Sequence, residues 1–186
     1  MPSAVETIDI QNVVASSGIG QEIDLQALAM DLPDASYEPE KFPGLVYKTT
    51  DPSASALIFR SGKLVCTGAD GVDEVHAALD NVFDALRERG LDVDDDPVVE
   101  VQNIVSSADI GATLNLNAIA IGLGLESVEY EPEQFPGLVY RIDEPDVVVL
   151  LFGSGKLVIT GATTPEDAGA ALEVVREELD ALGLLG

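Results

Sequence analysis

The sequence predicts an α+β protein built as two similar halves, each a mostly antiparallel sheet carrying two helices. Three observations predict it. YEPEKFPGLVY at 37–47 returns as YEPEQFPGLVY at 130–140, identical at ten of eleven positions. LIFRSGKLVCTGA at 57–69 returns as LLFGSGKLVITGA at 150–162, identical at ten of thirteen, and IQNVVASS at 10–17 returns as VQNIVSSA at 101–108. Within each copy, alternating β-branched runs are joined by short turns, which implies antiparallel neighbours, and stripes of helical period lie around them. Two copies are fewer than a stacked solenoid needs. The halves, 1–93 and 94–186, are instead expected to pack about a pseudo-twofold axis.

Each element follows in order. Residues 6–16 are β-branched and alternating, a strand. Asp24 is placed to cap a short helix whose Leu25, Leu28, Ala29 and Leu32 share a face and which ends at Pro33. Strands are expected at about 35–39, 44–50, 54–60 and 63–68, the last two joined by the tight turn RSGK, or GSGK in the second copy. A long helix follows, with Val72, Val75, Leu79, Val82, Phe83 and Leu86 at helical spacing. Its counterpart has Thr164 as N-cap, Pro165 at the first helical position, and a stripe of Ala168, Ala171, Leu172, Val175, Leu179 and Leu182. The joint is RGLDVDDDPVV, where Gly90 stops a helix and Pro97 precedes a strand. Its aspartates lack the glycine and terminal glutamate of a calcium loop and read as a solvated linker. The repeat offset is 91 at the Gln-Asn pair and 93 from Tyr37 onward, so the second copy carries two extra residues in between.

Composition narrows the function. Hydrophobic residues make up 46% of the 186, a globular composition. No apolar run reaches the ~20 residues of a membrane span. The N-terminus lacks the basic and apolar regions of a secretory signal, and a single cysteine, Cys66, fits a reducing cytoplasm, where the protein is expected to act. Acidic residues outnumber basic ones 34 to 9, a net charge of −25. A polyanion repels nucleic acid, yet at 1 M salt the Debye length is about 3 Å and most of that repulsion is screened. The chain therefore reads as a protein of a salt-loving organism, an ordinary acidic interaction protein being the other reading. The cations are not scattered: Lys41, Lys48, Arg60, Lys63, Arg141 and Lys156 lie in or beside the repeated stretches, and only Arg87, Arg89 and Arg176 lie elsewhere.

The strands point to a face with nothing to cover it. Ile58, Leu64 and Cys66 face one way, and Leu57, Phe59, Val65 and Thr67 the other; Leu151, Leu157 and Ile159 likewise oppose Leu150, Phe152, Val158 and Thr160. Both faces are largely apolar, but two helices per half cover only one. Asn12 with Val14, and Asn103 with Val105, sit where the first strand of each half can join the second face, and the strands of that face are read as free of carboxylates. Apolar residues, asparagines and threonines rimmed by lysines suit the minor groove of A·T-rich DNA, whose floor offers only acceptors and no guanine amino group. Phe42 with Phe59, and Phe135 with Phe152, then read as two pairs of wedges that enter base steps and kink the duplex.

These motifs closely resemble the TATA-box-binding protein family, in particular its archaeal members, over residues 6–183. The resemblance implies one saddle-shaped ten-stranded antiparallel sheet with four main helices on its convex side. It implies a transcription initiation factor that binds and bends the promoter TATA box and nucleates assembly of the preinitiation complex. By motif match Asn12, Asn103, Thr67 and Thr160 meet base edges, while Val14, Leu57, Val65, Val105, Leu150 and Val158 pack on the groove floor. Phe42, Phe59, Phe135 and Phe152 intercalate, and Lys48, Lys63, Arg141 and Lys156 meet phosphates. Glu131, Glu133 and Gln134 match the surface that holds transcription factor B, through which RNA polymerase is reached. Arg60 and Gly153 break the repeat directly after a wedge.

Other chemistry finds no residues. His76 is the only histidine, so no Ser-His-Asp set is credible, and no Cys/His cluster offers a metal site. GLGLES at 122–127 lacks the third glycine of a dinucleotide fingerprint. No catalytic activity, cofactor, metal or membrane association is expected. Two other readings are a saddle-fold accessory domain serving an enzyme and an acidic protein-binding module that dimerises through the bare face; a homodimer off DNA is compatible with any of them.

Overall fold

A computed structural model describes residues 8–124 and 126–185. The ten strands belong to one antiparallel sheet, and four α-helices accompany them. Contacts divide the chain into two compact units, Asn12–Gln102 and Met1–Gln11 with Asn103–Gly186.

The first half runs β1 (Asp9–Gly18), α1 (Leu25–Asp31), β2 (Ala35–Ser36), β3 (Leu45–Thr49), β4 (Ala54–Ile58), β5 (Lys63–Ala69) and α2 (Val72–Glu88), with strand order β2-β3-β4-β5-β1. Asp24 caps α1 as its position predicts: its carboxylate accepts from Ala27 N at 3.1 Å. Leu25, Leu28 and Leu32 are buried. In α2, Val75, Leu79, Val82, Phe83 and Leu86 are buried, and the helix packs on β3, β4 and β5, where Leu45, Ala56, Ile58, Leu64 and Cys66 have no exposed surface. Each such leucine or isoleucine contributes about 1.5–3 kcal/mol by leaving water. Gly90, at φ 85°, follows the helix end as its glycine predicts.

The second half repeats the order as β6 (Glu100–Asp109), α3 (Leu116–Leu123), β7 (Val128–Glu129), β8 (Leu138–Ile142), β9 (Val147–Leu151), β10 (Lys156–Ala162) and α4 (Pro165–Ala181), paired β6-β10-β9-β8-β7. Asn115 replaces Asp24 as cap, accepting from Ala118 N at 3.1 Å, and Thr164 caps α4 by accepting from Asp167 N at 3.1 Å. One cluster joins Leu116 and Ile119 of α3, Leu172, Val175 and Leu179 of α4, and Leu138, Val149, Leu151, Leu157 and Ile159 of the strands. Both helices of this half therefore lie on the same face of its strands. The two extra residues fall in the turn after the short helix: two residues separate Leu32 from β2, and four separate Leu123 from β7.

Several boundaries differ from the sequence-based expectation, each for a local reason. The first strand runs from Asp9 to Gly18 instead of 6–16; residues 6 and 7 lie outside the described residues. The strand expected at 35–39 stops at Ser36, because Lys41 N and Phe42 N both donate to Glu38 O, at 2.9 and 3.0 Å, and close a helical turn that Pro39 enters with its fixed φ. Residues 59 and 60 leave the strand for the hairpin turn, where Phe59 N donates to Lys63 O and Gly62 N to Phe59 O, each at 2.9 Å. Leu182 is 38% exposed instead of buried, since it lies past the last turn of α4, against Gly122 of α3. Carboxylates do occur in the strands, at Asp9, Glu100, Asp109 and Glu129, all exposed and near strand ends.

Cys66 is wholly buried on β5, and burial raises its thiol to about 11. The thiolate is the reactive form, so iodoacetamide at pH 8 is expected to leave the native protein unlabelled and to modify Cys66 only after unfolding. Native labelling at the rate of a free thiol would contradict this burial.

Candidate nucleic-acid interface

Antiparallel register assembles the face opposite the helices. In the first half Val46, Leu57, Val65 and Ser16 form one cross-strand row on β3, β4, β5 and β1, and Lys48, Ser55 and Thr67 form the next. In the second half the rows are Val139, Leu150, Val158 and Ser107, then Arg141, Val148 and Thr160. Val14 and Val105 lie between buried neighbours on their own strands and are themselves partly exposed. The valines and leucines of these rows are likewise partly exposed, while their strand neighbours on the helix side are buried apart from Tyr47 and Tyr140, which are partly exposed. The register therefore brings Leu57, Val65 and Thr67 together, and Leu150, Val158 and Thr160, as alternation predicts. It also adds Val46, Val139, Ser16, Ser107, Ser55 and Val148, which sequence reasoning passed over. The signal was available: Val46 and Lys48, like Val139 and Arg141, share the parity of the face in the strand that opens the repeated GLVYK and GLVYR.

The asparagines are fixed by a bulge. From Val13–Ala69 to Ala15–Cys66, β1 advances two residues while β5 advances three, so β5 bulges at Thr67-Gly68, with Gly68 at φ 92°. The bulge frees Gly68 N–H from the ladder, and Asn12 Oδ1 accepts it at 2.7 Å. That donor fixes which end of the Asn12 amide is oxygen. Asn12 Nδ2 then donates one hydrogen to Thr67 Oγ1 at 3.1 Å, and its second hydrogen has no partner among the described residues. The threonine hydroxyl has only a long 3.5 Å approach to Asn12 Oδ1 for its own hydrogen. The second half repeats the device: β10 bulges at Thr160-Gly161, Gly161 N donates to Asn103 Oδ1 at 2.6 Å, and Asn103 Nδ2 donates to Thr160 Oγ1 at 3.1 Å. Each half thus presents an amide hydrogen and a hydroxyl as unspent donors on an apolar floor. The preceding glutamines are tied as well: Gln11 Nε2 donates to Ser107 Oγ at 2.9 Å, and Gln102 Nε2 to Ser16 Oγ at 2.8 Å.

The phenylalanines form edge-on pairs. The Phe42 and Phe59 ring centroids are 5.9 Å apart at 63°, and those of Phe135 and Phe152 are 5.9 Å apart at 68°. Phe42 is 38% exposed and Phe135 39%, so neither is a core residue. The adjoining glycines explain the Pro-Gly spelling. Neither Gly44 nor Gly137 has a positive φ. A Cβ on Gly44 would lie 2.8 Å from Phe42 Cε2 and 3.0 Å from Phe59 Cε1, and one on Gly137 2.7 Å from Phe135 and 2.9 Å from Phe152. Glycine is there so that two rings can close over the backbone.

Lys48, Lys63, Arg141 and Lys156 are all exposed. Lys48 and Arg141 end the threonine rows, Lys63 pairs with Gly18, and Lys156 with Asp109. Carboxylates accompany two of them: Glu100 lines a shallow groove with Lys63 and Val65, and Asp9 and Asp109 line one with Lys156 and Phe152. Glu131, Glu133 and Gln134 are exposed in the loop before Phe135, where Glu131 O accepts from Gln134 N and Phe135 N. Among the described residues no group of histidine, cysteine and carboxylate side chains is arranged to hold a metal, and no helix is long and apolar enough to cross a membrane.

Known proteins share this sequence and fold. The family profile described as Transcription factor TFIID (or TATA-binding protein, TBP) matches residues 7–89 and again 98–182. TATA-box-binding protein 2 of Haloferax volcanii is 67% identical over 186 residues, covering 100% of both chains. The TATA-box-binding protein of Haloarcula marismortui is 68% identical over 180 residues, covering 97% of each. Among solved structures, Methanococcus jannaschii TBP superposes with a TM-score of 0.83 at 50% identity, covering 94% of this chain and 98% of that one. The duplicated profile, the full-length identity and the shared fold agree: this chain belongs to the family of transcription factor TFIID, or TATA-binding protein.

Proposed function

We infer that this protein is a general transcription initiation factor that binds and bends an A/T-rich promoter box through the minor groove and starts assembly of the preinitiation complex. The observation that carries the reading is the asparagine–threonine pair of each half, held by a bulge glycine with one amide hydrogen left over. An A·T minor groove presents only adenine N3 and thymine O2, both acceptors, which is the complement of that donor set. A guanine amino group against the amide hydrogen of Asn12 or Asn103 would meet another donor and crowd the floor.

Around these donors Val14, Leu57, Val65, Val105, Leu150 and Val158 supply apolar contact, and Phe42, Phe59, Phe135 and Phe152 act as wedges. Unstacking costs a few kcal/mol per step. Apolar burial offsets it at about 2.5 kcal/mol per 100 Å2, and only a bent duplex lies against enough of the face. Lys48, Lys63, Arg141 and Lys156 meet phosphates, fixing position without reading sequence. Glu131, Glu133 and Gln134 hold transcription factor B, which brings RNA polymerase; this work is done in the cytoplasm. The functional repeats are 1–93 and 94–186.

A gel shift in molar potassium chloride tests the reading. A duplex with an A·T box is expected to shift and a G·C control to stay free. Asn103→Ala is expected to weaken the A·T complex by about 1–3 kcal/mol, roughly 5- to 150-fold. Equal affinity for both duplexes, or none for either, would remove the reading.

A further inference from the structure

The two halves present nearly the same floor, which raises the question of how the protein tells one end of a promoter box from the other. Asn12, Val14, Leu57, Val65, Thr67 and Val46 have identical counterparts in Asn103, Val105, Leu150, Val158, Thr160 and Val139, and the hydrogen-bond distances agree within 0.1 Å, 2.7 against 2.6 Å to the bulge glycine and 3.1 Å in both to the threonine. Lys48 corresponds to Arg141 in the repeat, a change of shape but not of charge. One floor position changes polarity. Ser55, flanked on its row by Lys48 and Thr67, corresponds to Val148, flanked by Arg141 and Thr160. Both are partly exposed, and the Ser55 hydroxyl has no hydrogen-bond partner among the described residues.

We propose that the Ser55/Val148 difference lets the first half accept a G·C pair that the second half rejects, and that this sets the direction in which the protein lies on an asymmetric box. The proposal rests on the minor-groove reading above. A hydroxyl is both donor and acceptor. Opposite an A·T pair Ser55 donates to adenine N3 or thymine O2; opposite G·C it rotates and accepts from the guanine amino group. Val148 offers neither. Against an A·T pair it packs; against G·C it strips water from an amino group and returns no acceptor, leaving a buried donor unsatisfied. A box with one G·C pair near an end is therefore bound with the first half over that end. Arg60 and Gly153 also differ, but they sit in the turns beyond Phe59 and Phe152, outside the floor.

The test reads direction. Glu40→Cys, exposed in the loop before Phe42, carries a tethered iron chelate that cleaves whichever DNA flank the first half meets; buried Cys66 stays unlabelled. The duplex is a symmetric A·T box with one G·C pair at the outer floor position of one end. Cleavage is expected to favour the G·C end by about tenfold, and in the exchange variant Ser55→Val with Val148→Ser to favour the opposite end. The single variant Ser55→Val is expected to lose about tenfold more affinity for this duplex than for the unsubstituted A·T box. Equal cleavage at both ends, or cleavage unmoved by the exchange so that Arg60 and Gly153 decide direction, overturns the proposal while binding of the A·T box leaves the minor-groove reading intact. If wild type fails to bind the A·T box, both are overturned.

Discussion

Moving this protein from molar potassium chloride into 50 mM salt is expected to unfold it. A net charge of −25 on 186 residues is repulsive everywhere it is not screened. At 1 M salt the Debye length is about 3 Å, below the spacing of neighbouring side chains, and near 0.1 M it is about 10 Å, which spans many of them. The helices show where the strain concentrates. On α2, Asp80, Asp84 and Glu88 follow one another at helical i,i+4 spacing, and on α4 Glu173 and Glu177 do the same. Each such like-charge pair costs a few tenths of a kcal/mol when unscreened. The ion pairs found among the described residues, Lys41–Glu38, Arg87–Asp84, Arg89–Glu88 and Arg176–Glu173, all involve a well-exposed carboxylate and offset little. The three like-charge pairs come to about 1 kcal/mol, and the repulsion of the whole net charge of −25 adds to them against a typical stability of 5–15 kcal/mol. Circular dichroism followed through dialysis measures it; a spectrum unchanged at 50 mM salt would contradict the charge argument. The curated relatives named above come from halophilic archaea, in agreement with the charge.

The second large effect is on the salt dependence of DNA binding. If Lys48, Lys63, Arg141 and Lys156 alone met phosphates, counterion release would give a log–log slope of about −3.6, from 0.9 per contact. Affinity would then collapse at the salt the fold requires. Carboxylates change the sign of that bookkeeping. Glu100 shares its groove with Lys63, and Asp9 and Asp109 share theirs with Lys156. A phosphate chain brought against them needs cations taken up from solution, and each ion taken up offsets one released. With three carboxylates set against four cations the expected slope is close to flat, no steeper than about −1, between about 0.5 and 2 M potassium chloride, measured by fluorescence anisotropy of a labelled A·T duplex. A slope near −4 would mean that these carboxylates stay clear of the duplex.

Much of the fold was legible because local chemistry and global role agree in this chain. Asp24 and Thr164 stand where caps are needed, the buried positions of α2 recur at helical period, and strand parity separates Ile58 and Leu64 from Leu57 and Val65. What was not legible depends on contacts distant in sequence. Nothing in YEPEKF says that it closes a helical turn and cuts the strand short at Ser36; the two N–H groups that share Glu38 O do so. The Pro-Gly pair looks like a turn signal, yet Gly44 is small because Phe42 and Phe59, one of them fifteen residues downstream, both close on it. The bulge at Thr67-Gly68 is the largest omission. Asn12 was placed on the face by its strand, but the orientation of its amide depends on an N–H released 56 residues away. Val46 and Val139 stand inside the repeated YEPE–FPGLVY stretch, where the Pro-Gly pair reads as a turn, and only strand parity marks them as part of the face.

Recognition depends on a bare apolar strand face that reads the hydrogen-bonding pattern of the minor groove and nothing of the major groove. Inosine·cytosine duplexes test it most directly, because they carry the major groove of G·C and, lacking the guanine amino group, the minor groove of A·T. In molar potassium chloride the protein is predicted to bind an I·C copy of the box as tightly as the A·T box and to leave the G·C copy unbound. An I·C duplex that is rejected along with G·C would contradict the account, since the protein would then be reading the other groove.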